Sequence, residues 1–580
     1  MWLINTSNFK LERHDHYEKG SYAILSHTWE EDEVSFQDFS DLEFAARKRG
    51  FTKIMSIVEM ARARNLKFAW IDTCCIDKTS SSELSEAINS MFRWYEDSAV
   101  CFAHLSDMPT QLEIQDRCSD DFTNFWEASF KACRWFARGW TLQELIAPIN
   151  VEFYDTGWNF IGNKIQLSKP IEALTKIPAG ILIRVKRSSG LRDGPHNASI
   201  ACRMSWASAR QTTRVEDTAY CLLGLFDINI PLLYGEGSKA FIRLQEEICR
   251  NTTDMSLFAW KATCTPASSN KGPLQEFRGL FANHPCEFSE GYYVSRAAAS
   301  DISYRGEIAI TNRGIRFDRT RLWVSPKHGI VMSLNCNCHK WIHQQSKVLY
   351  ICLARVAGGF ARHKPSALIE VERRYPPEEW KMVDQPQFYI SKDLSLADAI
   401  RTKEEYNDAL FVRFDDRIRG VTTHPVDLWD PHRNASIVDQ ERLERAIYIK
   451  VGDSAEHSES FINVTLDSPM VYSVFSHKDP AFPVLSDIVQ DMQPPIDSFS
   501  EHSAKYFWTR QRVGSNNFDE EPAIDAGKRF SAIVTGRDLG LDRWISIDVK
   551  GHEKGKQKSK YLLKGANLFN LGKRFRTSLA

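Results

Sequence analysis

Apolar and polar positions alternate through the first 155 residues in two rhythms. Short apolar runs read as buried strands: "SYAILSHTW" (21–29), "KFAWID" (67–72), "AVCFAHL" (99–105) and "NVEFYD" (150–155). Between them the spacing changes to three and four. "FTKIMSIVEMARARNL" sets Ile54, Ile57, Val58 and Ala61 on one helical face, with its Lys and Arg elsewhere. "SSSELSEAINSMFRWYEDS" does the same with Leu84, Ile88, Met91, Phe92 and Tyr95, and Ser81 or Ser82 can cap it. Strands alternating with helices of this length predict an α/β fold with a parallel sheet covered on both faces. Right-handed crossovers bring the strand C-terminal ends to one edge, where open α/β sheets bind ligands. "SHTWEEDE", "DTCCIDK" and "LSD" (105–107) all fall just after predicted strands.

The rhythm changes twice more. From 200 to 260, "RMSWASARQTTRVEDTAYCLLGLFDINIPLLYGEGSKAFIRLQEEI" reads as helices broken at Gly224, Pro231 and the Gly235–Gly237 pair. From about residue 300, runs such as "GEIAITNRGIRF", "GIVMSLNC", "VLYICLARV", "AIYIKVG", "FINVTL" and "VYSVF" predict a β-rich region. The expected organisation is an α/β core over 1–155, a helical extension over 156–260, a β-rich accessory domain over 261–549 and a basic polar tail over 550–580.

Composition narrows the class. The chain has 580 residues, 43% hydrophobic and 26% charged, which suits globular domains. A formal net charge of −1 gives no global pull toward nucleic acid or anionic membrane. No stretch approaches the ~20 apolar residues of a membrane span. The start "MWLINTSNFKLERHD" lacks a signal-peptide pattern, and thirteen scattered cysteines suit reduced thiols, so a cytoplasmic location is expected.

Several motifs are absent or weak. "YGEGSKAF" lacks P-loop spacing, and there is no GxGxxG after a strand, no HExxH and no GxSxG. "NCNCHKWIH" offers Cys336, Cys338, His339 and His343, but CxC without a second pair is a poor zinc pattern, and no metal site is expected. In "IDTCCIDK" the Cys74–Cys75 pair has no nearby histidine in sequence, although His27 can approach in space. Asp72 suits hydrogen bonding to backbone amides or a ligand hydroxyl. Trp29 can stack on a flat ring or simply cover the core. In "ARGWTLQELIAP" Glu144 sits four residues after Trp140, so the indole is expected one turn below the carboxyl. It reads as a solvated helix residue, a capping aid or a working acid.

The blocks "YAILSHTWEEDEVSFQDF", "FAWIDTCCIDKTSSSELSEAINSMFRWYEDSAVCFAHLSD" and "CRWFARGWTLQELIAP" resemble the fungal heterokaryon incompatibility (HET) domain family. The run from Arg203 resembles the stretch that such proteins carry directly after the domain. The resemblance implies a role in self/non-self recognition, with a domain that triggers cell death when incompatible strains fuse. HET domains are in turn remotely similar to Toll/interleukin-1 receptor (TIR) domains, which implies a TIR/flavodoxin-like sheet. Plant TIR domains carry a W-C-L-x-E-L segment whose glutamate cleaves NAD. Trp140-Thr141-Leu142-Gln143-Glu144-Leu145 is similar to it except for Thr141. The resemblance implies NAD or a related nucleotide as substrate rather than cofactor, Glu144 as catalytic acid, and a pocket formed by Ser26, His27, Trp29, Asp72, Arg138 and Trp140. It also implies a homo-oligomer or a partner incompatibility protein. The alternative is a non-enzymatic assembly module that recruits a separate effector.

Overall fold

The structure, a computed structural model, describes residues 1–110, 113, 122–184, 194–262, 275–296, 306–339, 347–356, 358–372, 376–383 and 385–407, and, as backbone, strands between residues 410 and 551. His343 and residues 552–580, most of the expected basic tail, lie outside them. Lys550 and Gly551, its first two residues, belong instead to a strand, Arg543–Gly551.

Seven strands form the first sheet: β1 (Trp2–Asn5), β2 (Leu11–Arg13), β3 (Tyr22–His27), β4 (Phe68–Trp70), β5 (Val100–His104), β6 (Val151–Tyr154) and β7 (Phe160–Asn163). Their order is β2-β1-β4-β3-β5-β6-β7. The four central strands are those predicted, and β4-β3-β5-β6 run parallel. β1, β2 and β7 add antiparallel edges, and β7 carries the sheet past residue 155. Every residue of β3 and β5 is buried, as a parallel strand covered on both faces demands.

Helices α1 (Leu42–Ala45), α2 (Phe51–Ala63), α3 (Ser81–Asp97), α4 (Phe122–Ala132) and α5 (Thr141–Ile146) connect these strands. The path steps from β3 to β4 in one direction, then back across β3 to β5. Right-handed crossovers therefore place α2 and α3 on opposite faces, with the reversal between β3 and β5. α2 buries the predicted Ile54, Ile57, Val58 and Ala61, and also Lys53, a cation where the apolar period expects none. The cap of α3 is Ser80, whose hydroxyl accepts from the Glu83 amide, and not Ser81 or Ser82. Its buried face runs through Ala87, Ile88, Met91, Trp94 and Tyr95.

The helical extension contains α6 (Ser168–Thr175), α7 (Ala179–Leu182), α8 (Ile200–Ser205), α9 (Asp217–Tyr220), α10 (Leu223–Phe226) and α11 (Lys239–Asn251). Gly224 lies inside α10 and breaks nothing. A Cβ there would stand 2.1 Å from the Cβ of Phe92, so glycine lets α10 press against α3. α10 ends instead at Asp227, which takes the left-handed conformation at φ 56.

The β-rich region begins as an eleven-stranded sheet of residues 277–390 and continues in two five-stranded sheets. Its first part is not hinged off. Phe258 and Trp260 share one apolar cluster with Ile315, Leu322 and Met332. Gln245 of α11 both donates to the Ala282 carbonyl at 2.8 Å and accepts from its amide at 2.9 Å. Arg362, fully buried, donates to the Phe258 and Trp260 carbonyls and lies 3.7 Å from the centre of the Trp260 ring. Among the described residues no helix is long and apolar enough to cross a membrane.

Candidate functional site

The predicted residues converge on the C-terminal ends of β3 and β4, but not into one pocket. Side chains alternate across a strand, so Ser26 and His27 leave opposite faces of the sheet. Ser26 points to the side of α3 and α5. Its hydroxyl donates to Glu144 Oε2 and accepts from the Trp135 indole at 2.8 Å. His27 points to α2, where Lys53 Nζ approaches its Nδ1 at 3.3 Å and Asp72 Oδ1 lies 3.2 Å from its Nε2.

On the first side everything is sealed. Glu144 is 5% exposed and Ser26 is 0% exposed. Glu144 is therefore not a solvated helix residue, nor does its carboxyl cap the helix. Burial, reinforced by the negative charge of Asp72, pushes its carboxyl up to about 8, against the hydrogen bond from Ser26 and the charges of Arg138 and Arg210. It is a neutral acid at pH 7. Nearby Tyr95 and Cys101 are likewise pushed up, first by burial and then by Glu144.

The indole at this pair is Trp135, which no sequence pattern singles out, rather than Trp140. Trp140 directs its side chain to Asp217 in α9. The chain between these two indoles turns through a short 3-10 helix, Arg134–Ala137, before α5 begins. This turn lets Trp135 reach back to β3, an approach that helical spacing from Glu144 cannot anticipate. Arg138 is half-buried; its carbonyl accepts from Thr141 Oγ1 at 3.0 Å and from Arg210 Nη1 at 2.8 Å.

The second side is an ion network. Lys53 Nζ is paired with Glu33 and donates to the Thr28 carbonyl at 3.2 Å. Asp72 accepts from the Trp29 indole at 2.8 Å. Burial acts to raise its carboxyl, but His27, Lys78 and Trp29 prevail and hold it down at about 2. Trp29 does not cover the core: it is 41% exposed, and Lys78 Nζ sits 3.8 Å from its ring centre. His104, aligned with His27 across the β3–β5 pair, stacks on Trp158 at 4.2 Å. Burial, then the charges of Lys53 and His27, pushes it down to about 4, so it is neutral. Cys74 is buried and its thiol is raised, so it offers no thiolate for Cys–His catalysis. Cys336 and Cys338 lie in the strand Gly329–Cys338. No group of three potential metal ligands occurs among the described residues.

Residues 22–144, which run from the first residue of β3 to Glu144 itself, match the heterokaryon incompatibility protein (HET) family. Over 230 residues the chain is 48% identical to the vegetative incompatibility protein HET-E-1 of Podospora anserina. The chain carries a HET domain. Ser26, His27, Trp29, Asp72, Arg138, Trp140 and Glu144 all fall inside it. The similarity to HET-E-1 covers 39% of this chain and 16% of that protein, so the chain corresponds to a small share of its relative's length. A second match, to a domain of unknown function (DUF8212), spans 239–318 and so begins at α11 and ends in the β-rich sheet. No solved structure matches the chain.

Proposed function

We propose that this chain acts in fungal self/non-self recognition as a cytoplasmic cell-death effector, and that its HET domain hydrolyses the nicotinamide–ribose bond of NAD or a related nucleotide. The observation that carries this reading is a pair of carboxyl groups driven apart in ionisation at one sheet edge. Asp72 is held down at about 2 and Glu144 pushed up to about 8. Environments that split two carboxyls are a mark of acid–base and glycosidic chemistry. The strand order and the Trp140–Leu145 segment, similar to the TIR pattern, support the same reading.

The leaving nicotinamide starts as a cation, so bond breaking needs little proton donation. It needs negative charge beside the ribose as an oxocarbenium-like state forms. A pyridinium entering beside Glu144 favours the ionised carboxyl, so binding expels its proton. The carboxylate, with Asp72 behind it, then faces the developing cation. The resting chain is closed over Glu144, and activation, by association of copies or by a partner incompatibility protein, is the step that admits substrate.

That same closure favours a second reading, a non-enzymatic module that assembles and recruits a separate effector. Nicotinamide release separates the two. Purified chain is incubated with NAD, with and without crowding or crosslinking. Release by wild type that falls about 100-fold or more in Glu144→Gln supports the enzyme. Equal release from both, or toxicity in fungal cells undiminished by Glu144→Gln, rules it out.

A further inference from the structure

Arg210 lies 66 positions beyond the end of the HET match at residue 144, in the segment directly after α8. It is nevertheless 7% exposed and built into the first turn of α5. Its Nη1 donates to the Arg138 carbonyl at 2.8 Å and to Thr141 Oγ1 at 2.9 Å, and its Nε donates to the Trp206 carbonyl at 3.3 Å. Thr141 Oγ1 in turn donates to the Trp135 carbonyl, and the Trp135 indole holds the Ser26 hydroxyl that bonds Glu144. The same segment is laced to the turn before α5: the Gly139 amide donates to the Gln211 carbonyl at 2.8 Å, and the Gln211 amide to the Ala137 carbonyl at 2.7 Å. A Cβ at Gly139 would meet Thr212 Cγ2 at 2.5 Å, so glycine permits this approach.

One part of the guanidinium is left over. Nη2 is buried without a partner among the described residues, an arrangement that costs free energy unless another state of the site uses it. The charges and titratable groups facing Glu144 are Asp72 from the β4 loop, Tyr95 from α3, Cys101 from β5, Arg138 from the turn before α5, and Arg210. Both guanidinium charges favour ionised Glu144, Arg138 more than Arg210; Arg138 keeps part of its surface in water, whereas Arg210 is enclosed.

We infer that Arg210 is a positioning residue of the Glu144 site, supplied from outside the HET match, which braces the first turn of α5 and provides the countercharge when Glu144 loses its proton. The resting site is then a neutral acid with Nη2 of the bracing guanidinium unused, and in the ionised site the enclosed cation offsets the carboxylate charge. The proton leaves to solvent; no covalent bond forms or breaks in this step. The countercharge itself does not depend on the proposed cleavage of NAD, but its use in turnover rests on that reading.

The test tracks the proton directly in the full-length chain. Infrared difference spectra taken as pH rises report the carbonyl stretch of protonated Glu144, identified by its loss in Glu144→Gln. The wild-type band is expected to lose half its intensity around pH 8. In Arg210→Gln the midpoint should move to higher pH, since a favourable charge is gone. An unmoved midpoint overturns the inference, because a purely structural brace leaves the titration where it was. Should Arg210→Gln not fold, Arg210→Lys decides. A cation without the planar fork keeps the midpoint if charge acts, and a Lys variant displaced upward overturns the claim. Nicotinamide release is read in parallel. A shifted titration with no release from any variant would remove the NAD reading and leave Arg210's role standing.

Discussion

On the α3 face of the first sheet Ser26, Trp135 and the protonated Glu144 form a neutral, sealed group; on the α2 face Lys53, Glu33, His27 and Asp72 form a partly wet ion network. Ser26 and His27 are adjacent on β3, so one peptide unit separates the two regimes. Ser26 meets a protonated Glu144 and the Trp135 indole, while His27 lies between Lys53 and Asp72. The difference arises from what each helix brings. α2 contributes a buried lysine, which requires an anion, and Glu33 answers it. α5 contributes a buried carboxyl with no ion pair among the described residues, so it keeps its proton. The α2 face stores charge and the α3 face stores a proton.

The largest expected effect breaks the charged side. Lys53→Met leaves Glu33 beside His27 without its cation, and urea unfolding monitored by tryptophan fluorescence should show a loss of about 3–5 kcal/mol. A loss no larger than that of an exposed lysine would mean that the network is ornamental.

Next comes pH, where the two faces carry opposite signs. Between 4.5 and about 8 the unfolded chain has ionised its Glu144 while the folded chain has not, so stability falls as pH rises and levels off above about 8. Glu144→Gln should remove that decline, worth a few kcal/mol at pH 8. Asp72 and His104 act the other way. His104 takes stability away as pH falls from 6.5 toward 4, and Asp72 as pH falls from 3.8 toward 2. Thermal melts across pH 3–9 of wild type, Glu144→Gln and His104→Phe would separate the Glu144 and His104 contributions. A Glu144→Gln profile parallel to wild type contradicts the protonated acid.

A subtler change sharpens the coupling between faces. Asp72 acts on Glu144 across the sheet edge and helps to raise it. Asp72→Asn should therefore shift any rising limb of nicotinamide release to lower pH, measured as kcat/KM against pH. The smallest effect is a control away from both faces: Ser80→Ala removes the α3 cap and should cost about 1 kcal/mol, with no change in either pH limb.

Much of this arrangement is legible in the sequence, and the omissions have physical reasons. The central strands and the helices α2 and α3 declare themselves by period, because each has one or two faces packed on a continuous core. β1, β2 and β7 are three or four residues long and pair antiparallel toward the sheet margins, where an exposed apolar residue such as Phe160 blurs the alternation. Glu144, Ser26 and Asp72 are reachable through resemblance, and period-two alternation in "YAILSH" already contains the split between Ser26 and His27. Trp135 and Arg210 are not reachable. Their roles come from contacts 109 and 69 positions away, to Ser26 and Thr141, which no local spacing encodes.

The double hydrogen bond between Gln245 and Ala282 has a consequence for how such a domain travels between proteins. Where the first 260 residues are grafted onto another architecture, Gln245 loses both bonds to Ala282, and Phe258 and Trp260 lose their lid. The graft must carry a replacement surface that offers one carbonyl and one amide in the same register, or remain sticky. Recombination is thereby restricted to acceptors that can plug that socket.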